Sequence, residues 1–188
     1  GNGSAEIRGL ELEGRWQATD QLYLFGSLAY LDFEWKRYDG QCYFNPPASI
    51  LGISQPGRIA GNCVFDGFRN NQTPEITAVF GGDFRQPVAG NLEFRLAADV
   101  TYTDDFLTSL TLDPGSVQKS SSKVNARISL GRQDRRWEAA IIGRNLTDEK
   151  TISFAGEAPL SGSIFSARSY YGFVDLPRTY ALELSARF

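Results

Sequence analysis

The chain closes on Tyr180-Ala181-Leu182-Glu183-Leu184-Ser185-Ala186-Arg187-Phe188, in which every even position is apolar, every odd one is small or charged, and the last residue is aromatic. A period of two is the period of a strand, because successive side chains leave opposite faces. One face of this strand suits lipid and the other water. Its length matches the roughly 9–11 residues that a tilted strand needs to cross a bilayer, against the five or six of a typical soluble sheet.

Working back from this tail, the same pattern recurs six more times, with turn chemistry between the segments. The first segment, 6–18, sets Leu10, Leu12, Gly14, Trp16 and Ala18 against Glu11, Glu13, Arg15 and Gln17. The second, 22–35, carries Leu22, Leu24, Gly26, Leu28 and Tyr30 in its apolar phase. Its other phase, with Tyr23 and Phe25, is hardly more polar, so register is specified weakly there. The third, 75–85, places Ile76, Ala78, Phe80, Gly82 and Phe84 opposite Thr77, Asp83 and Arg85. The fourth sets Leu92, Phe94, Leu96, Ala98, Val100 and Tyr102 against Glu93, Arg95, Asp99 and Thr101. The fifth, 122–131, has Val124, Ala126, Ile128 and Leu130 in phase, and the sixth has Trp137, Ala139, Ile141 and Gly143.

No charged residue stands among the apolar-phase positions just named, although charges make up 22% of the chain. A lipid-facing surface must be purged in this way, since an Arg or Lys at the bilayer midplane costs about 2–4 kcal/mol. A soluble β-sandwich, such as a carbohydrate-binding module, also alternates, and connection lengths separate the two readings. Joints 19–21, 86–91 and 131–136 are short, whereas 36–74, 104–121 and 146–177 are long. Strict short-long alternation puts every long loop on one side of the sheet, the arrangement of an outer-membrane barrel with short periplasmic turns. Aromatics in the apolar phase then gather at two levels: Trp16, Phe84, Trp137 and Phe188 at the short-turn end, and Tyr30, Tyr102 and Tyr180 at the long-loop end. The fold class expected is all-β, an antiparallel up-and-down transmembrane β-barrel segment of about seven strands.

Composition narrows function. The net charge of −3 with scattered Lys and Arg gives no basic stripe, which argues against nucleic acid as a partner. The absence of His and Met removes the commonest metal ligand and general base, so neither an enzyme nor a cofactor or metal site is expected. Glu11 and Glu13 point the same way with no supporting acid or base, which does not make a two-carboxylate catalyst. No stretch of about 18 uninterrupted apolar residues and no signal-peptide pattern is present. Cys42 and Cys63 fit a disulfide in an oxidising compartment better than a metal site, with two unpaired thiols as the alternative.

An odd strand count conflicts with the even parity of single-chain bacterial barrels, so these segments read as the C-terminal part of a longer protein with an unpaired edge. At this point several stretches resemble the C-terminal barrel region of TonB-dependent outer-membrane receptors. They are Ala5-Glu6-Ile7-Arg8-Gly9-Leu10-Glu11-Leu12-Glu13, then Leu28-Ala29-Tyr30-Leu31-Asp32, then the run from Trp137 to Gly143-Arg144-Asn145-Leu146-Thr147-Asp148, and Pro177-Arg178-Thr179-Tyr180 with the tail. The resemblance implies a barrel of 22 strands, of which residues 1–188 supply the last seven, with the plug domain absent from these residues. It also implies active uptake of a ferric siderophore or similar scarce nutrient across the bacterial outer membrane. The partners implied are outer-membrane lipid, the protein's own plug domain, TonB, the barrel-assembly machinery and a siderophore-like ligand. Tyr180, Leu182, Leu184 and Phe188 resemble the signal that the assembly machinery reads. A passive outer-membrane channel or small barrel is the alternative within the same architecture.

Two regions carry the site expectations. Glu11, Glu13, Arg15, Glu93, Arg95, Asp99, Arg127, Glu138, Arg144, Glu183 and Arg187 would face the lumen, where mixed charge suits hydrogen bonding to a plug or a hydrated wall. Loop 36–74 is rich in Pro, Gly and Asn, and its Tyr38, Tyr43, Phe44, Arg58 and Arg69 are candidate contacts for an anionic, ring-bearing ligand.

Overall fold

The computed structural model describes residues 3–158, 161 and 169–187. Along the chain run β1 (Ser4–Gln17), β2 (Leu22–Arg37), β3 (Asp39–Gly40), β4 (Cys63–Val64), β5 (Ile76–Val88) and β6 (Leu92–Thr103). After these come β7 (Phe106–Leu107), β8 (Val117–Gln118), β9 (Ser121–Arg132), β10 (Trp137–Arg144), β11 (Ile152–Glu157), β12 (Tyr170–Val174) and β13 (Thr179–Ala186). Seven of them form one sheet in the order β1-β2-β5-β6-β9-β10-β13, antiparallel at each step. It is a simple meander, open at β1 and β13. The β-sandwich alternative is set aside, because the seven long strands make a single layer and, among the described residues, no second long sheet faces it.

Register places the apolar phases of neighbouring strands directly opposite one another. Leu12 pairs with Leu28, Leu28 with Ala78, Phe84 with Leu96, Leu96 with Ile128, Ile128 with Ile141 and Ile141 with Leu182. Opposed residues in an antiparallel ladder share a face, so one continuous apolar surface crosses all seven strands. That surface is uncovered: Leu182 is 71% exposed and Trp16 65%. The buried hydrophobic cluster instead sits among the long connections, with Tyr43, Cys63, Phe65, Leu107 and Leu112.

The weakly specified second segment is fixed by its neighbours. Phe25 lies opposite Gly81 on the polar face, and a Cβ at Gly81 would sit 2.5 Å from the Phe25 ring. The ring covers the glycine, which is why an aromatic belongs on that otherwise polar face. Above Tyr30 the two faces of β1 and β2 exchange character. Glu6 pairs with Glu34 and Arg8 with Asp32 on the side that was apolar, while Ile7 and Phe33 pair on the other. Lys36 Nζ bridges the opposed acids at 3.2 Å from Glu6 and 2.6 Å from Glu34.

β5 runs three residues past its expected end and includes Pro87. There β2 has ended, since Leu22 pairs with Phe84, so β5 has a single neighbour and the sheet tolerates a proline. The turn shrinks to Ala89, Gly90 and Asn91, with φ of 74° and 64° at the last two. Left-handed backbone at Gly and Asn is what a tight hairpin needs.

Candidate functional site

All three long connections emerge at the same end of the sheet, and each folds on itself and on the others. In the first, 38–75, the β3–β4 ladder sets Gly40 opposite Cys63. Cys42 and Cys63 are joined, with Cα atoms 4.9 Å apart. Tyr38 stacks on Trp35 at 4.4 Å, and the aromatic run continues through Phe65 to Phe68. The Arg58 guanidinium bonds the Asp66 carboxylate and lies 3.3 Å from Asp39, only 16% exposed. The Asp66 hydrogen bond raises the Arg58 pKa further above its ordinary value, so this cation is committed to the loop. Arg69 is likewise committed to Asp105, through its carboxylate and its backbone carbonyl at 3.1 Å.

The second connection, 104–120, closes through the β7–β8 ladder, with Thr108 and Ser116 bonded at 2.9 Å through their backbones. The third contains the β11–β12 hairpin. Bonds between connections lock the group together. Gln72 N donates to Leu107 O at 2.8 Å, Ile152 N to Gln118 Oε1 at 2.6 Å, and Tyr170 Oη to Asp113 Oδ2 at 2.6 Å.

Beneath this cap and above the polar face of β6 and β9 lies a chamber of about 390 Å³. Thr101, Thr103, Ser121 and Lys123 form its floor; Gln72, Pro74, Phe106, Gln118, Thr151, Ile152, Ser153 and Asp175 form its walls. Lys123 Nζ donates to Asp175 Oδ2 at 2.7 Å and Thr151 Oγ1 to the same oxygen at 2.6 Å. Hydrogen bonding by Lys123, then by Thr151, holds the Asp175 carboxyl below its ordinary pKa, so this carboxylate stays charged at neutral pH.

The five candidate ligand contacts of the first loop do not line this chamber. Tyr43 is in the buried cluster, Tyr38 is stacked within the aromatic run, and Arg58 and Arg69 are ion-paired. Phe44, 38% exposed, is the accessible one of the five. Among the expected girdle aromatics, Trp16, Phe84 and Trp137 lie on the apolar face at the short-turn end, and Tyr30, Tyr102 and Tyr180 on the same face at the other. Tyr180, Leu182 and Leu184 project from that face of β13, and Phe188 lies outside the described residues.

The polar face carries the expected mixed charge, arranged as local pairs. Asp83 takes both Arg85 and Arg95; Arg127 bridges Glu138 and Glu183; Asp99 accepts from Asn125 at 2.8 Å. The chamber residues escaped sequence reading for a physical reason. Thr101 and Lys123 are visible in the polar phase, but Phe106, Thr151 and Asp175 reach them only through the folding of separate loops.

No family model matches the chain, and no curated protein matches it in sequence. Solved structures match in fold. The chain is similar to the ferric yersiniabactin uptake receptor FyuA from Yersinia pestis, with a TM-score of 0.70 at 15% identity, over 97% of this chain and 23% of that one. It is similar to the siderophore receptor PiuA from Acinetobacter baumannii, with a TM-score of 0.67 at 17% identity over 97% and 22%. It is also similar to BauA, the ferric preacinetobactin receptor of the same organism, at 0.60 and 15% over 97% and 22%. The chain spans less than a quarter of the length of these receptors and has the fold of a segment of their barrels.

Proposed function

We propose that this chain is the C-terminal part of the barrel of a TonB-dependent receptor that imports a ferric siderophore or similar scarce nutrient across the bacterial outer membrane. The observation that carries the reading is the pairing of a continuous apolar face with a folded loop cap at one end, in a sheet whose fold over 97% of the chain is that of siderophore receptors. Lipid covers the apolar face between its aromatic levels, and the polar face looks into the barrel.

In this reading the open edges of β1 and β13 pair with strands encoded upstream, closing a barrel of 22. The locally paired charges of the polar face meet a plug domain, and TonB supplies energy through that upstream region. The barrel-assembly machinery reads the last strand. Transport tests all of this: cells expressing the full-length protein should accumulate a labelled ferric chelate, and deleting TonB or collapsing the proton gradient should abolish accumulation. Uptake that persists without TonB, in proportion to external concentration, would make the protein a passive channel instead.

A further inference from the structure

We infer that the chamber beneath the loops receives an uncharged ligand face, gripped by hydroxyl hydrogen bonds rather than by ionic pairing. This rests on the receptor reading and specifies the chemistry of what that receptor takes.

The floor supplies the first observation. The hydroxyls of Thr101, Thr103 and Ser121 make no hydrogen bond among the described residues, and all three line the chamber. Thr103 and Ser121 sit directly opposite each other, and Thr101 opposes Lys123, so the hydroxyls form one patch across β6 and β9. A hydroxyl donates one bond and accepts two, so the patch serves a ligand that both donates and accepts.

Charge supplies the second. Among the described residues, Lys123 is the single cation lining the chamber, and it already faces Asp175 at 2.7 Å, so that lining is close to neutral. In the first connection Arg58 is paired with Asp39 and Asp66, and Arg69 with Asp105. A polyanion entering here would find no unpaired cation among the described wall residues and would lose hydration without compensation. A neutral face would bury against Phe106 and Pro74 and satisfy the free hydroxyls.

The third observation is preorganisation. Gln72 N to Leu107 O and Ile152 N to Gln118 Oε1 fasten all three connections around the chamber, so binding need not first order its walls.

The test uses the purified full-length protein in lipid nanodiscs and three probes: a neutral ferric trihydroxamate, a trianionic ferric triscatecholate, and a neutral maltooligosaccharide. A neutral probe should bind, with affinity changing less than about twofold between about 0.05 and 0.5 M NaCl, over which the screening length falls roughly threefold. The combined Thr101→Val, Thr103→Val, Ser121→Ala variant keeps side-chain volume and should weaken that binding about tenfold or more, at a few-fold per lost hydrogen bond. Heat-modifiable migration of the folded barrel confirms that the variant is folded.

Binding of the trianionic probe alone, or of a neutral probe by the triple variant as tightly as by the parent, overturns the inference. So does failure of both neutral probes to bind. Binding of the oligosaccharide but not of either chelate would uphold this chemistry while removing iron uptake from the proposed function.

Discussion

The backbone N–H of Phe44 donates to Glu157 Oε2 at 2.6 Å, joining the first long connection to the third across 113 residues of chain. A charged acceptor on a backbone amide is among the stronger hydrogen bonds available to a loop. It ties the residue next to Tyr43 of the buried cluster to the last residue of β11. Replacing Glu157 with Ala should raise hydrogen exchange of the Phe44 amide by about tenfold or more, since such bonds contribute roughly 1.5–3 kcal/mol. Glu157→Gln keeps an acceptor and should lose less. Equal exchange in all three proteins would show that the cap closes without this contact.

Reduction of the Cys42–Cys63 bridge frees the segment between them while the sheet remains. In the chain-entropy account a loop of this size contributes about 3 kcal/mol. Limited proteolysis should therefore cut between residues 42 and 63 in the Cys42→Ser, Cys63→Ser variant well before the parent. The strand signal in circular dichroism should not change. Loss of strand signal would mean that the bridge supports the sheet itself.

Ile128 lies on the apolar face of β9 between Leu96 on one neighbour and Ile141 on the other. Ile128→Arg should cost about 2–4 kcal/mol of folding free energy in lipid vesicles, the penalty for a guanidinium at midplane depth. Ile128→Leu should be nearly neutral. Urea titration in vesicles measures both, and a neutral Ile128→Arg would place this face away from hydrocarbon.

Asp175 should make the loop cap acid-sensitive. Its carboxyl is held below the ordinary value by Lys123 first and Thr151 second. A depressed folded pKa contributes stability that is fully present above the unfolded value of about 3.9 and is lost as pH falls through the folded one. Exchange protection of the Asp175 amide, which donates to Thr151 O at 2.9 Å, should fall below about pH 4. In Asp175→Asn that acid transition should disappear, with protection already low at neutral pH. A transition unchanged in the variant would assign it to another carboxylate.

The strands were legible because each obeys a local rule. β10 spans Trp137–Arg144, the run the alternation marks, and β9 and β6 differ from expectation only at their ends. β5 runs on through Pro87, past the end read at residue 85, because whether a proline ends a strand depends on how many neighbours flank it there, which no local pattern states. The exchange of faces above Tyr30 was equally hidden, since Glu6, Asp32 and Glu34 lie in the ends of segments whose phase was read from Leu10 to Ala18 and Leu22 to Tyr30. The site was the least legible part. Arg58 and Arg69 have the residue type of anion contacts, and only the positions of Asp66 and Asp105 show that their charge is used internally. The chamber is assembled from segments separated by up to a hundred residues, so its members carry no mutual signal in one sequence.

The unbroken facing of apolar positions across six ladders also sets what change the molecule can absorb. A hydrocarbon neighbour asks only that alternate side chains be apolar, with no particular shape to match. Substitution is therefore cheap, and 15% identity suffices to keep the architecture. Insertion or deletion is another matter. One residue added within a long strand turns everything beyond it inside out, presenting arginines to lipid, so such strands must change length by even steps or leave the surplus to a bulge. Drift in composition is nearly free in this sheet while drift in count is quantised, which leaves the three long connections as the place where lineages of this architecture can gain and lose sequence.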